Sequence, residues 1–309
     1  MKKLWKPFSL WMLVISMLAL PSMQLCAEED AAAKPDQPMG FEPETQSTET
    51  QSVQEKVDAK TDDEVGEKRK EIISEATAAV AQTRDALQAL EDGKTEEALA
   101  ALEKVTGKLA LIIAREPELA LAPLDVSVIT HDLYATPETV NRQVKAAEKL
   151  LEDGAVQAAR EILFLLASET RIRTTNVPLA TYPDAIKAVV PLIDDGKVDK
   201  AKNALQLALN TLVVTEEVIP LPVMRAEALL TAAEELAEND DRTTEQNQKL
   251  TDMLNAARNQ IKLAQALGYG EKKMFKPIYK EIEAIEQKTK EGKSGVGFFD
   301  RLPGMFMGF

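Results

Sequence analysis

The chain has 309 residues, with 37 Lys and Arg against 51 Asp and Glu, one His and one Cys. A net charge of −14 makes it a poor partner for a nucleic-acid backbone. A single His and a single Cys cannot furnish a Cys/His metal set, nor a thiol–imidazole pair unless those two meet. The length suffices for one large domain or two small ones with a real core.

Residues 1–27 read as a secretory signal. Lys2, Lys3 and Lys6 precede an apolar stretch from Phe8 to Leu20, and Pro21 and Ser22 break it. Cleavage after Ala27 is expected, because the apolar stretch is short for a membrane span and acids follow it directly. The mature chain then has no transmembrane segment and a periplasmic destination. It also loses Cys26 and both tryptophans, and its charge moves from −14 to −17.

Residues 28–66 hold 12 acids, three Lys and three Pro, but no Leu or Ile. That composition predicts a disordered, self-repelling leader.

From residue 67 to 290 apolar residues recur at intervals of three and four, Ala is abundant and Gly is scarce. The pattern predicts one all-α domain of stacked antiparallel helical hairpins. Asp-Gly pairs at Gly93, Gly154 and Gly196 punctuate it, the last two 42 residues apart. Leu90, Leu151 or Ile193 stands three residues before each Gly. Ala98, Ala159 or Ala201 follows at five, Leu102, Leu163 or Leu205 at nine, and Pro117, Pro178 or Pro220 at twenty-four. The Gly supplies a left-handed helix end, the Ala admits a close second helix, and the Pro is expected to end that helix. New helices open at Thr136-Pro137 and Tyr182-Pro183. A fourth hairpin follows, with helices over 224–238 and from Thr244 to Leu267, and a last helix covers roughly 271–290. No segment alternates convincingly at period two, so no significant sheet is expected.

Few side chains suggest chemistry. A polar loop between hairpins is expected at 170–176 and carries Arg171 and Arg173, two cations in an acidic chain suited to an anionic ligand, a partner carboxylate or the protein's own acids. Tyr134 and Tyr182 each precede a helix start and are candidates to line a groove between hairpins. The apolar tail 291–309 carries Phe298, Phe299, Phe306 and Phe309, which pack on the domain or dock on another surface. His131 lacks the partnered setting of a general acid or base. With no nucleophile, base and orienter together, no enzymatic reaction is expected, and no catalytic, cofactor-binding or metal-binding residue is assigned.

The stretch TYPDAIKAVVPLIDDGKVDKAKNALQLALNTLVVTEEVIPLPVMRAEALLTAAEEL, from Thr181 to Leu236, resembles the YfdX family of bacterial exported proteins. The earlier ETVNRQVKAAEKLLEDGAVQAAREILFLL looks like its companion half. The resemblance implies an all-helical, periplasmic homo-oligomer linked to acid and drug stress, chaperone-like and binding client proteins. It carries no catalytic residues. The alternative is a small-molecule-binding protein with its ligand in a cleft between hairpins.

Overall fold

A computed structural model describes residues 45–309. The expected signal peptide and the first part of the acidic leader lie outside the described residues.

The later part of that leader is helical. Helices α1 (Thr48–Ser52) and α2 (Gln54–Lys70) occupy it, and Val53, Val57 and Val65 are buried. The expectation of disorder is corrected there. Acids and lysines cover the outer face of α2, while three valines at helical spacing supply the apolar face that composition alone understated.

Two helices then form the first Asp-Gly hairpin, α3 (Ser74–Glu91) and α4 (Thr95–Arg115). Strand β1 (Leu121–His131) follows. The second hairpin is α5 (Pro137–Glu152) and α6 (Val156–Phe164), followed by β2 (Glu169–Pro178). In the third, Pro191 accompanies a broken first arm, α7 (Tyr182–Lys187) and α8 (Val190–Asp194), before α9 (Val198–Asn210) and β3 (Val213–Pro220). Gly93, Gly154 and Gly196 have φ of 76°, 74° and 71°, the left-handed region in which a Cβ is disfavoured.

The strands correct the all-α expectation. They form one antiparallel sheet in the order β1-β2-β3. Pro178 and Pro220 therefore end strands, not helices, whereas Pro117 stands just beyond the end of α4. Val126, Ile172 and Ile219 on the inner face of the sheet pack with Val57, Val65, Leu221 and Met224. The remaining helices are α10 (Leu221–Ala237), α11 (Thr244–Leu267) and α12 (Lys272–Thr289). On α11, Leu250, Met253, Leu254, Ala257, Ile261 and Ala264 form one stripe at intervals of three and four, and it is buried throughout.

The three Asp-Gly hairpins do not make a uniform stack. The first and third share one core, in which Leu90, Leu102, Ile193 and Leu205 are buried. The second has only a small cluster of Ala147, Ala159 and Ile162. Its counterparts of those core leucines, Leu151 and Leu163, are 47% and 45% exposed.

Candidate binding site

Helix α10 carries a cation on its buried face. Arg225 is 1% exposed, with Leu221 and Leu229 buried one turn to either side. Its Nη1 and Nη2 donate to the two oxygens of Asp132 at 2.9 and 2.6 Å, and its Nε donates to Gln54 Oε1 at 3.0 Å. With the Gln46 carboxamide turned so that its oxygen faces the guanidinium, that oxygen accepts from Nη1 and Nη2 at 3.2 and 3.1 Å. All five guanidinium donors thus have acceptors.

Asp132 follows directly on β1 and also accepts from Ser168 Oγ at 3.1 Å. The backbone N–H of Ser168 donates to Tyr269 Oη at 2.8 Å, which ties the start of β2 to the residue pair after α11. Burial alone would raise the Asp132 carboxyl. The hydrogen bonds and charge of Arg225 outweigh it and hold the group below its ordinary value. Tyr134, two residues on, hydrogen-bonds Asp132, and its ring centroid lies 5.9 Å from Arg225 Cζ. That bond to an anion, with partial burial, raises the Tyr134 hydroxyl.

Tyr134 stands between two cavities. One, of about 380 Å³, opens among α1, the β1–α5 connection, α10 and α11. The other, of about 550 Å³, lies along α2 and the sheet and includes Asp58, Asp62 and Thr170 in its wall. Both fall in the size range of small-molecule sites. Of the two tyrosines expected to line a groove, Tyr134 does so. Tyr182 does not: it is fully buried in the shared core of the first and third hairpins, and its hydroxyl donates to Thr83 Oγ1 at 3.0 Å.

Arg171 and Arg173 lie on the central strand β2, not in a loop. Arg171 faces Ile129 and Val218 across the sheet, and Arg173 faces Ser127 and Glu216. Arg171 Nε pairs with Glu169, and Arg171 Nη1 lies 3.8 Å from Glu216. Arg173 Nε is 2.9 Å from Glu216 Oε1, an ion pair by distance whose geometry does not make a hydrogen bond. Both arginines are engaged by the protein's own acids.

The tail packs on its own chain. Phe299, Leu302 and Phe306 are buried with α10, α11 and α12, and Phe298 and Phe309 pack partly buried against the same cluster. The Phe309 ring lies 5.0 Å from that of Phe275.

One apolar surface was not anticipated. The second hairpin exposes Leu151, Val156, Leu163, Phe164 and Leu165, with Phe164 71% exposed. Val156 and Leu163 lie two turns apart on one face of α6. The Phe164 ring meets the exposed His131 ring edge-on at 6.1 Å. The repeat pattern puts Leu151 and Leu163 in the same columns as the buried Leu90 and Leu102, but spacing alone does not tell that they stand exposed.

Among the described residues no helix is long and apolar enough to cross a membrane. Comparison with curated proteins finds no match. A solved structure of Salmonella Typhi YfdX is similar over 48% of this chain and 93% of its own, at 17% identity and a TM-score of 0.34. Residues 79–218, spanning all three Asp-Gly hairpins and most of the sheet, match the family described as YfdX protein. Over those residues the chain is similar to the YfdX family.

Proposed function

We propose that the protein is a non-enzymatic, self-associating periplasmic factor that binds other polypeptides under acid or drug stress, in the manner of a chaperone. The observation that carries this reading is the apolar face of the α5–α6 hairpin. Leu163 stands exposed where the other two hairpins bury Leu102 and Leu205, and Phe164 beside it is exposed as well. Fully burying one such side chain is worth about 1.5–3 kcal/mol, so a few of them hold an unfolded segment reversibly. Charge supports the same face. The hairpin balances Arg142, Lys145, Lys149 and Arg160 against Glu138, Glu148, Glu152, Asp153 and Glu161, in a chain that is otherwise strongly acidic. It therefore repels an acidic client, or a second copy, less than the rest of the surface does.

The test is aggregation of reduced insulin, followed by light scattering, with and without the mature protein. Suppression by the wild type and its loss in Leu163→Glu/Phe164→Glu are expected, with helix content unchanged. Suppression that survives the double substitution, or that the wild type never gives, refutes the reading. A second reading, binding of a small molecule in a cleft between helices, is favoured by the cavities beside Tyr134.

A further inference from the structure

The two edges of the sheet are guarded unequally. β1 carries Pro123 and a register shift between Pro123 and Asp125. Its first half is also tied to the start of α3, where the Ile73 N–H donates to Pro123 O at 2.9 Å and Thr77 Oγ1 donates to Leu124 O at 2.8 Å. Proline, bulges and a covering element are devices that keep an edge from pairing with another chain. β3 has none of them. It runs in unbroken register along β2, its one proline is its last residue, and the residues from Val214 to Val218 are all exposed. Val214, Thr215 and Val218 among them are β-branched, the type that suits a paired strand.

The backbone of β3 has a definite polarity. The Leu221 N–H donates to Ser168 O at 3.0 Å, one step beyond the pair of Glu169 and Pro220. Ladder bonds recur at every second residue of an antiparallel strand, so Thr215, Glu217 and Ile219 turn their N–H and C=O towards β2. Val213 agrees, since its C=O accepts from Asn176 Nδ2 of β2 at 3.2 Å. Val214, Glu216 and Val218 therefore turn theirs outward, where no partner meets them among the described residues. Such a row is a template for one more strand.

Those three residues are symmetric about Glu216, which makes the edge complementary to itself. A two-fold axis at Glu216, normal to the sheet, sets Val214 against Val218 of a second copy and Glu216 against its own equivalent. Every outward N–H then meets an outward C=O. An axis at Thr215 sets Val218 beyond the end of the facing strand, and one at Glu217 sets Val214 against Pro220, which has no N–H. The side chains fit the same axis. Val214 and Val218, 46% and 40% exposed, lie on the outer face and cover one another. The two Glu216 carboxylates meet on that face, each with Arg173 Nε at 2.9 Å and Arg171 Nη1 at 3.8 Å in its own chain. Two guanidiniums from each copy thus flank the pair of carboxylates and offset their repulsion.

We infer that two copies of this chain associate through β3, antiparallel and edge to edge, so that one sheet continues across a two-fold axis at Glu216. The inference rests on the self-association in the proposed function and gives it a surface, one that uses nothing of the α5–α6 face.

Sedimentation velocity of the whole mature protein over a range of concentrations tests it. A concentration-dependent oligomer is expected. Val214→Lys/Val218→Lys sets Lys against Lys in both valine pairs and should weaken association about a hundredfold or more, as like charges brought together across an interface do. Ile129→Lys, on the same outer face but on β1, should leave it unchanged. Cross-linking checks the register. Opposed residues of a hydrogen-bonded pair stand about 5.5 Å apart at Cα, within reach of a disulfide, and the mature chain has no other Cys. Glu216→Cys should therefore give a covalent dimer on mild oxidation. Val214→Cys should not, because the axis sets its two copies roughly 13 Å apart along the strand. A wild type that stays monomeric at every concentration overturns the inference, as does an oligomer that survives Val214→Lys/Val218→Lys with Glu216→Cys failing to cross-link. Equal loss in Ile129→Lys would move the contact from the edge to the sheet face and also overturns it. An oligomer lost only in Leu163→Glu/Phe164→Glu would assign self-association to the α5–α6 hairpin instead. Insulin protection is a separate readout, so its absence with the edge results intact refutes the chaperone reading alone.

Discussion

Replacing Arg225 by Met keeps the apolar stem and removes the guanidinium. Asp132 then retains only Ser168 and Tyr134 as partners, and the acceptors of Gln54 and Gln46 lose their donor. Breaking a buried pair from one side costs about 3–5 kcal/mol. Asp132 is 21% exposed and keeps two hydrogen bonds, so the low end, about 3 kcal/mol, applies here. At about 2–4 °C per kcal/mol for a domain of this size, the midpoint should fall by about 6–12 °C. Differential scanning calorimetry at pH 7 measures it. Arg225→Met/Asp132→Leu should recover most of the loss, because no charge is then stranded. The pH dependence has a definite sign. In the wild type the Asp132 carboxyl is held below its ordinary value of 3.8. Its contribution is therefore present above that value and is lost as pH falls through the lower, folded one. In Arg225→Met the cation is gone and burial remains, so the carboxyl is pushed up and the penalty shrinks as pH falls from 7 towards 4.5 (about the range of a raised carboxylate). A cost under about 1 kcal/mol, or additive behaviour of the two substitutions, would refute the assignment of Arg225 and Asp132 as one unit.

Tyr182→Phe should cost no more than about 1 kcal/mol, since Thr83 Oγ1 still donates to Ala79 O at 2.9 Å, and should leave insulin protection unchanged; lost insulin protection would return Tyr182 to a functional role. Phe299→Ala should cost about 3–5 kcal/mol in chemical denaturation with the subunit count unaltered in native mass spectrometry; a smaller oligomer at unchanged stability would show that the tail docks between subunits instead. Stability should hold or rise slightly as pH falls from 7 to about 5, because two acids have raised folded values. Glu64 is raised by partial burial with Glu217 and Glu227 nearby, and Glu234 by burial with Glu238 and Asp300 nearby. Stability should drop only below about pH 4 as Asp132 protonates, so a melting temperature that declines already between pH 7 and 6 would refute this order.

The helices were legible because each carries a stripe at intervals of three and four whose burial does not depend on a remote partner's identity. The α11 stripe is an example, as is the Thr136 cap whose Oγ1 accepts from the Thr139 N–H at 3.2 Å. The sheet was not legible. In β2 the inward residues are Thr170, Ile172 and Thr174, and the outward ones Arg171, Arg173 and Thr175, so hydropathy hardly alternates. What remained was enrichment in β-branched residues, a weaker signal whose meaning depends on pairing partners about forty residues away. The α2 helix was hidden for the opposite reason. Val53, Val57, Thr61 and Val65 keep a four-residue spacing, but the charges between them dominate any count of composition. At the candidate site, Tyr134 could be singled out by its place before a helix start. Arg225 could have been found as the one charge on the Leu221–Leu229 face of an apolar helix, where a cation needs a buried partner.

The second hairpin shows what a repeated pattern does and does not determine. Gly at the turn and Ala five residues later act within one hairpin, and they behave alike in all three: Gly93, Gly154 and Gly196 are left-handed, and Ala98, Ala159 and Ala201 are fully buried. The residues three before and nine after the Gly part company. Leu90, Leu102, Ile193 and Leu205 are buried in the core that the first and third hairpins share, and Leu151 and Leu163 meet solvent. A leucine left exposed by chance has no reason to occupy the same two columns that elsewhere make an interface. The turn geometry that presents those columns is intact in the second hairpin, which is what the proposed docking of another polypeptide on this face would use. This is why Leu163→Glu/Phe164→Glu is the discriminating substitution: it alters one exposed column of the second hairpin and the exposed phenylalanine beside it, and leaves Gly154 and Ala159, which hold that hairpin together, untouched.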